Sequence, residues 1–184
     1  MGASSRTLRL FVATYPPREV VEALQAARRG VVVEGVREVT PEQLHLTLQF
    51  IGQVEPRDLG RVEESVGGAC RGVGAFALRP ERLISLPARG AVRVIAVETD
   101  SPSGVMELHR RLAQRLARHA RRDAAGRFLP HLTLARVRAG AAVSRVDAAL
   151  DCPAFLVDRV VLVRSVLRAQ GAEHRAVGEW RLEG

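Results

Sequence analysis

The chain has 184 residues, of which 47% are hydrophobic and 26% are charged, and its formal net charge is +8. This composition is typical of a folded globular protein and excludes an intrinsically disordered chain. No apolar run approaches the roughly 18 residues of a membrane-spanning helix and no secretory signal is recognisable, so we expect a cytoplasmic protein without membrane contact.

The first half of the chain predicts alternating strands and helices. Helices are indicated where apolar residues recur every three or four positions, and strands where short apolar runs are bounded by Gly or Pro. In chain order these elements are a strand from Leu8 to Ala13, a helix from Val20 to Gly30, a strand from Leu44 to Ile51, a helix from Leu59 to Cys70 and an extended segment from Phe76 to Ser85.

The second half repeats this order, which indicates an internal duplication within one domain spanning residues 1–184, with lobes of about 1–90 and 91–184. Its pattern predicts a strand from Val92 to Glu98, a helix from Val105 to Leu116, a polar loop from Asp123 to Gly126, a strand from His131 to Val137, a short helix from Ser144 to Leu150, a long strand from Phe155 to Leu167 and, after a turn at Gln170 and Gly171, a last strand from Ala176 to Leu182.

The tetrapeptide His-Leu-Thr-Leu occurs once in each half, beginning at His45 and at His131. Successive side chains of a strand point to opposite faces, so each motif places one His and one Thr on one face and its leucines on the other. A local twofold axis relating the two lobes would bring the two motif strands together. The sequence therefore predicts a cleft that contains His45, Thr47, His131 and Thr133.

Two histidines and two threonines suit metal-free acid–base chemistry on a phosphate. One imidazole accepts a proton while the other donates one, because the pKa of histidine, about 6.5, keeps both forms accessible near neutrality. The threonine hydroxyls donate hydrogen bonds to phosphate oxygens without adding charge. A lone motif of this kind is usually structural, and its repetition at equivalent places is what favours catalysis.

A zinc site is the competing interpretation of the histidines, but zinc needs three or four ligands and neither motif contains a Cys or a carboxylate. The other histidines do not complete such a set. His109 and His119 lie on an arginine-rich helix and are expected to face solvent, and His174 is expected to be a surface residue. All 28 basic residues are arginine, so the net charge by itself favours a polyanionic partner only slightly.

These residues resemble the two-histidine phosphoesterase superfamily, and within it the bacterial RNA 2′,3′-cyclic phosphodiesterases, formerly called 2′-5′ RNA ligases. The likeness spans nearly the whole chain. It comprises the opening strand Leu8 to Ala13, the first motif with its flanks from Val39 to Gly52, the second motif from Phe128 to Arg136 and the closing segment from Val163 to Gly171.

The resemblance implies an α+β, bilobal fold in which two pseudo-twofold-related lobes, with antiparallel sheets flanked by helices, surround a central cleft. It also implies metal-independent opening of a 2′,3′-cyclic phosphate to a 2′-phosphate, with RNA ends or nucleotides as partners and with no cofactor or metal. By this likeness His45 is the proton donor, His131 is the proton acceptor, and Thr47 and Thr133 hold the phosphate. Arg136 adds a positive charge beside the site.

The chain departs from the family where aromatic residues are common, at Glu38, Leu86, Ala96 and His174. Aromatic side chains beside such clefts stack on nucleobases. The nearest remaining candidates by sequence are Phe50, Phe128 and Tyr15, of which Phe50 directly follows the first motif. Two alternatives stay open, namely 2′-5′ RNA ligation at the same site and a non-catalytic module that binds nucleotides or RNA. Nothing in the sequence demands a dimer, and a monomer is expected.

Overall fold

The computed structural model describes residues 7–30, 34–117, 128–168 and 171–183. Three α-helices and eleven strands are assigned within these ranges. They are β1 (Leu8–Thr14), α1 (Arg18–Arg29), β2 (Val36–Glu38), β3 (Leu46–Val54), α2 (Leu59–Cys70), β4 (Phe76–Leu78), β5 (Pro80–Leu86), β6 (Val94–Thr99), α3 (Ser103–Arg115), β7 (His131–Val137), β8 (Asp147–Ala149), β9 (Phe155–Val157), β10 (Arg159–Arg168) and β11 (Gly171–Arg181).

The main sheet has the strand order β11-β10-β1-β3-β7-β6-β5-β8, with β2 also paired to β7, and its recorded strand pairs are antiparallel. Its two halves mirror each other about the β3–β7 contact. In one half β1 leads through α1 to its neighbour β3, and in the other β6 leads through α3 to its neighbour β7. The predicted α+β class with antiparallel sheets is confirmed, and hydrogen bonding between β3 and β7 joins the two expected sheets into one.

The outer strands are exchanged between the halves of the chain. β5 pairs with β6, which follows it in the second half of the chain, whereas β10 returns from the second half to pair with β1. Each half of the sheet therefore contains strands from both sides of residue 90. The duplication that is visible in the sequence order is thus not a division of the structure into two contiguous pieces.

The two faces of the sheet have different coverings. Buried side chains of all three helices pack with one face in a single large core, to which β1 contributes Leu10 and Val12. The alternate residues of the same strand, Phe11 and Ala13, belong to a small separate cluster with Val161 and Val163. No helical residue belongs to this cluster among the described residues, so the helices leave that face accessible to a ligand.

Most predicted elements are confirmed, but the segment from Ser144 to Leu150 is not a helix. Its residues 147–149 form the short edge strand β8 against β5, because pairing with an existing strand satisfies backbone groups that so short a helix leaves open. The extended segment from Phe76 to Ser85 is divided between two sheets, since β4 pairs with β9. The predicted polar loop from Asp123 to Gly126 and residue Gln170 lie outside the described residues.

Within the described ranges, no helix is both long enough and apolar enough to cross a membrane.

Candidate active site

The contact between β3 and β7 brings the two motifs side by side. Leu46 lies directly opposite Leu132, and in an antiparallel pair this register places His45 beside Thr133 and Thr47 beside His131. Both leucines are fully buried in the main core, so the four polar side chains lie on the other face, as strand alternation predicts. Diagonal neighbours in such a pair are roughly 7–8 Å apart, which leaves room for a phosphate between the histidines.

The two motif histidines are held in the same way. The Nδ1–H of His45 donates a hydrogen bond to the carbonyl oxygen of Gln43 at 2.6 Å, and that of His131 donates to the carbonyl oxygen of Leu129 at 2.8 Å. A carbonyl can only accept, so Nδ1 carries a proton in both rings. The Nε2 atom of each ring is therefore the one that is free to accept or donate a proton.

His45 is enclosed mainly by aromatic rings. Its ring centroid is 4.9 Å from that of Phe11 and 5.7 Å from that of Tyr15. The pKa of His45 is lowered to about 4, mainly by burial and to a smaller extent by the positive charges of His174, Arg136 and His131, while the hydrogen bond to Gln43 opposes this shift. In the absence of a ligand His45 is therefore a neutral imidazole at neutral pH.

His174 is part of the site, which corrects the prediction that it is a surface residue. It lies on β11, and its ring is 5.2 Å from His45 and 5.0 Å from Phe11, with an edge-on orientation to both. Its Nδ1 is buried and has no hydrogen-bond partner in the described structure. Burial, and then the charge of Arg136, lower its pKa. The hydrophobic pattern around His174 did not indicate this placement, because it results from the pairing of β11 with β10; the one signal was the family likeness, in which an aromatic residue is common at this position.

β11 also contacts His45 indirectly. The side-chain amide of Gln43 donates to the carbonyl oxygen of Ala172 at 2.5 Å, while the backbone carbonyl of Gln43 accepts from His45. The short 3-10 turn Pro41–Gln43 that precedes the first motif is thereby attached to the outer strand. The position of the His45 ring thus depends on both β3 and β11.

A β-bulge lies at the last leucine of each motif. In the pairing of β3 with β1, consecutive residues of β1 lie opposite Thr47 and Gln49, so Leu48 has no partner. In the pairing of β7 with β6, consecutive residues of β6 lie opposite Thr133 and Ala135, so Leu134 has no partner. One extra residue reverses the faces of the residues that follow it. Phe50 and Arg136 consequently lie on the same face as the motif histidines, whereas unbroken alternation would have directed both into the core.

The predicted residues Phe50 and Arg136 therefore both border the cleft. The Phe50 side chain is 48% exposed, and its ring lies 6.2 Å from that of Phe11. Arg136 is close enough to lower the pKa of His45 and of His174. The structure thus brings Thr47, Thr133 and both motif histidines together with an aromatic side chain on one flank and a cation on the other.

Two other predictions about aromatic and imidazole side chains are wrong. His109 does not face solvent, because its Nδ1–H donates to the carbonyl oxygen of the bulge residue Leu48 at 2.8 Å. Its ring stacks on Phe128 at 3.8 Å, and Phe128 packs against the main core rather than bordering the cleft. The other imidazole on the arginine-rich helix that was predicted to face solvent, His119, lies outside the described residues.

Two cavities lie on different sides of this arrangement. One of about 990 Å³ runs between α3 and residues 72–76, on the helix-covered side; its lining includes His109 but neither motif histidine. The other, of about 350 Å³, borders Arg136 and includes Arg37 and Arg138. No group of three or more His, Cys, Asp or Glu side chains in the described part of the chain is arranged to hold a metal ion.

The sequence pattern of the 2′-5′ RNA ligase superfamily matches residues 16–168. The chain is 31% identical over 188 residues to the RNA 2′,3′-cyclic phosphodiesterase of Thermus thermophilus, with 96% of this chain and 91% of that protein aligned. It is 25% identical to the enzyme of the same name from Thermotoga maritima, with coverages of 90% and 87%.

Solved structures show the same fold. The crystal structure of TT0787 from Thermus thermophilus superposes with a TM-score of 0.83 at 30% identity, covering 96% of this chain and 98% of that one. The structure of E. coli LigT complexed with 3′-AMP superposes with a TM-score of 0.80 at 22% identity, covering 97% and 100%.

Proposed function

The chain belongs to the 2′-5′ RNA ligase superfamily, as its two motifs predicted, and from this membership we propose that it hydrolyses 2′,3′-cyclic phosphates of RNA ends or nucleosides. The product is a 2′-phosphate beside a free 3′-hydroxyl. The observation that carries this proposal is the pairing of Leu46 with Leu132, since that register assembles both His–Thr pairs on one face.

The reaction is an in-line displacement at phosphorus. His131 Nε2 accepts a proton from water while the water oxygen bonds to phosphorus, and the bond from phosphorus to the 3′-oxygen breaks. His45 Nε2–H delivers its proton to that leaving oxygen. Hydroxyl donors from Thr47 and Thr133 stabilise the charge on the non-bridging oxygens. No metal ion is needed in this scheme, because the two imidazoles perform both proton transfers.

The low pKa of His45 has a consequence for this assignment. A neutral His45 suits a base, so its role as the acid requires that the bound substrate raise its pKa. The cyclic phosphate is an anion, and a negative charge within a few ångströms favours the protonated imidazole. Substrate binding near pH 7 is therefore coupled to the uptake of a proton.

Phe50 and Arg136, which flank the two motifs, also bind the nucleotide. Phe50 offers an exposed ring on which a nucleobase stacks. Arg136 faces the same cleft and attracts the phosphate. Both lie outside the His–Thr repeat but on its face, which is why we assign them to substrate binding rather than to proton transfer.

The direct test is an assay of the purified protein on a nucleoside 2′,3′-cyclic phosphate in the presence of EDTA. We expect turnover, with the phosphate position in the product determined by ³¹P NMR as 2′. His45→Ala and His131→Ala should each abolish it without loss of the folded circular-dichroism spectrum. Full activity in both variants would contradict the assignment, and nucleotide binding without any turnover between pH 5 and 8 would favour a binding module.

2′-5′ ligation is the reverse reaction at the same site. Water is present at about 55 M, so hydrolysis dominates unless the two RNA ends are held together tightly. Incubation with RNA ends that carry a cyclic phosphate and a 5′-hydroxyl, followed by analysis of both products, measures the ratio of ligation to hydrolysis directly.

A further inference from the structure

Two arginines face each other across neighbouring strands beside the cleft. Arg37 on β2 is the direct register partner of Arg136 on β7, and both side chains are exposed. Directly opposed residues share a face, so the bulge that turns Arg136 toward the cleft also defines the face of Arg37. This pair therefore extends the catalytic face along β7, away from Leu132.

A third arginine completes a cationic pocket. The cavity of about 350 Å³ at this position is lined by Arg37, Arg136, Arg138 and the neighbouring residues Val137 and Ala139. The nearest carboxylate in sequence, Glu38, points elsewhere and forms an ion pair with Arg28 of α1. Among the described residues, none of the three pocket arginines has an ion-pair partner.

Such an arrangement is costly for the free protein. Like charges directly opposite each other in a sheet destabilise it. The pKa of Arg136 is lowered by desolvation and by the charges of Arg37 and Arg9, which places a fourth cation nearby. An anion in the pocket removes this repulsion, and guanidinium groups match the geometry of phosphate oxygens.

We propose that this arginine pocket binds a backbone phosphate of an RNA chain whose cyclic-phosphate end lies between His45 and His131. This inference rests on the proposed function and specifies its substrate as an oligonucleotide rather than a free nucleotide. Arg136 borders both the pocket and the cleft, so a single strand that leaves the catalytic residues passes directly over the arginines. A free nucleoside cyclic phosphate has no second phosphate to place there.

The test compares two substrates with the same reacting end, a nucleoside 2′,3′-cyclic phosphate and a trinucleotide that ends in it. We expect kcat/KM to be roughly tenfold or more higher for the trinucleotide, as one charge-assisted phosphate contact allows. This preference should decline as salt is added. A trinucleotide whose internal linkages are uncharged methylphosphonates should lose the preference.

The variants are Arg37→Gln and Arg138→Gln, with Arg61→Gln on the exposed side of α2 as a control of equal charge change. The two pocket variants should reduce kcat/KM for the trinucleotide roughly tenfold and leave the mononucleotide unaffected. Arg37→Gln should also keep or raise Tm, because it removes the repulsion with Arg136. The control variant Arg61→Gln should leave kcat/KM unchanged for both substrates.

Three outcomes would overturn the inference: equal rates on both substrates in the wild type, a preference that survives methylphosphonate substitution, or pocket variants that behave like Arg61→Gln. These results are distinguishable from failure of the proposed function, in which the wild-type protein would not hydrolyse the mononucleotide at all.

Discussion

Phe50 and Arg136 occupy equivalent positions in the two halves of the site, each five residues after its motif histidine. Each is turned onto the cleft face by a bulge at the last leucine of its motif. The twofold relation thus extends beyond the repeated tetrapeptide, although the side chains that it relates are an aromatic ring and a cation. The histidines and threonines of the two motifs are matched in pairs, whereas the residues that border them are not.

Replacement of Phe50 by Ala should weaken the binding of nucleotides. Loss of one base-stacking contact costs roughly 1–3 kcal/mol, so kcat/KM should fall by about fivefold to 150-fold, mainly through KM. Phe50→Tyr should retain most activity. Leu156→Ala is a suitable control, since Leu156 is the other large exposed apolar side chain in the described structure, at 63%. A kcat/KM for Phe50→Ala equal to that of this control would argue against stacking.

The acid and base roles can be separated with a leaving group that needs no proton. Nitrophenolate leaves unprotonated near neutrality, so a nitrophenyl phosphodiester bypasses the acid but not the base. If His45 is the acid, His45→Ala should retain far more activity on this ester than on a cyclic phosphate, whereas His131→Ala should be inactive on both. The opposite pattern would exchange the two roles. Initial rates on both substrates provide the measurement.

The stability of the unliganded protein should fall as the pH is lowered from 6.5 to 4. The pKa of His45 is about 4 in the folded protein and about 6.5 in the unfolded chain. Between these values the unfolded chain binds a proton that the folded protein does not, so acid favours unfolding. The contribution is fully present above pH 6.5 and amounts to at most about 3.4 kcal/mol. His174, whose pKa is also lowered, acts in the same direction.

The corresponding measurement is Tm as a function of pH for the wild type and for His45→Gln, which cannot become charged. The Tm of the variant should depend less steeply on pH below 6.5. NMR titration of the His45 ring should show a rise in its pKa when a nucleoside 2′-phosphate is bound. Parallel Tm curves, or a ring that titrates near 6.5 in the free protein, would show that burial does not control this group.

His109→Ala should destabilise the protein by roughly 1–3 kcal/mol, because it removes a partly buried hydrogen bond to Leu48 and the stacking contact with Phe128. His109→Phe keeps a ring for stacking but not the donor. Denaturant unfolding of both variants separates the two contributions. Because Leu48 forms the bulge that orients Phe50, the KM for a nucleoside 2′,3′-cyclic phosphate should rise in both variants. An unchanged stability of His109→Ala would show that neither contact matters.

The pattern of the sequence was sufficient to predict the His–Thr face and most elements. The alternation of polar and apolar residues around His45 and His131 predicts which side chains lie outside the core. The recurrence of apolar residues every three or four positions predicts α1, α2 and α3. These are local properties of a strand or a helix, so they require no knowledge of strand partners.

The features that side-chain alternation did not predict depend on which strands pair with each other. A bulge exists only in relation to a partner strand, so the faces of Phe50 and Arg136 were not determined by their own sequence. His174 joins the site because β11 lies two strands from β1. The pairing of β5 with β6 and of β10 with β1, across the two halves of the chain, could not be predicted for the same reason. The segment Ser144 to Leu150 was too short for its helical spacing to outweigh edge pairing with β5.

The exchange of the outer strands also determines when the site can form during synthesis on the ribosome. Both motifs emerge before β10 and β11, yet the ring of His174 and the anchor of Gln43 at Ala172 come from β11. A nascent chain that has just completed β7 therefore contains both motif histidines, but the residues of β11 that contact His45 and Gln43 have not yet been synthesised. The complete surroundings of His45 form only when β11 pairs with β10 and β10 pairs with β1.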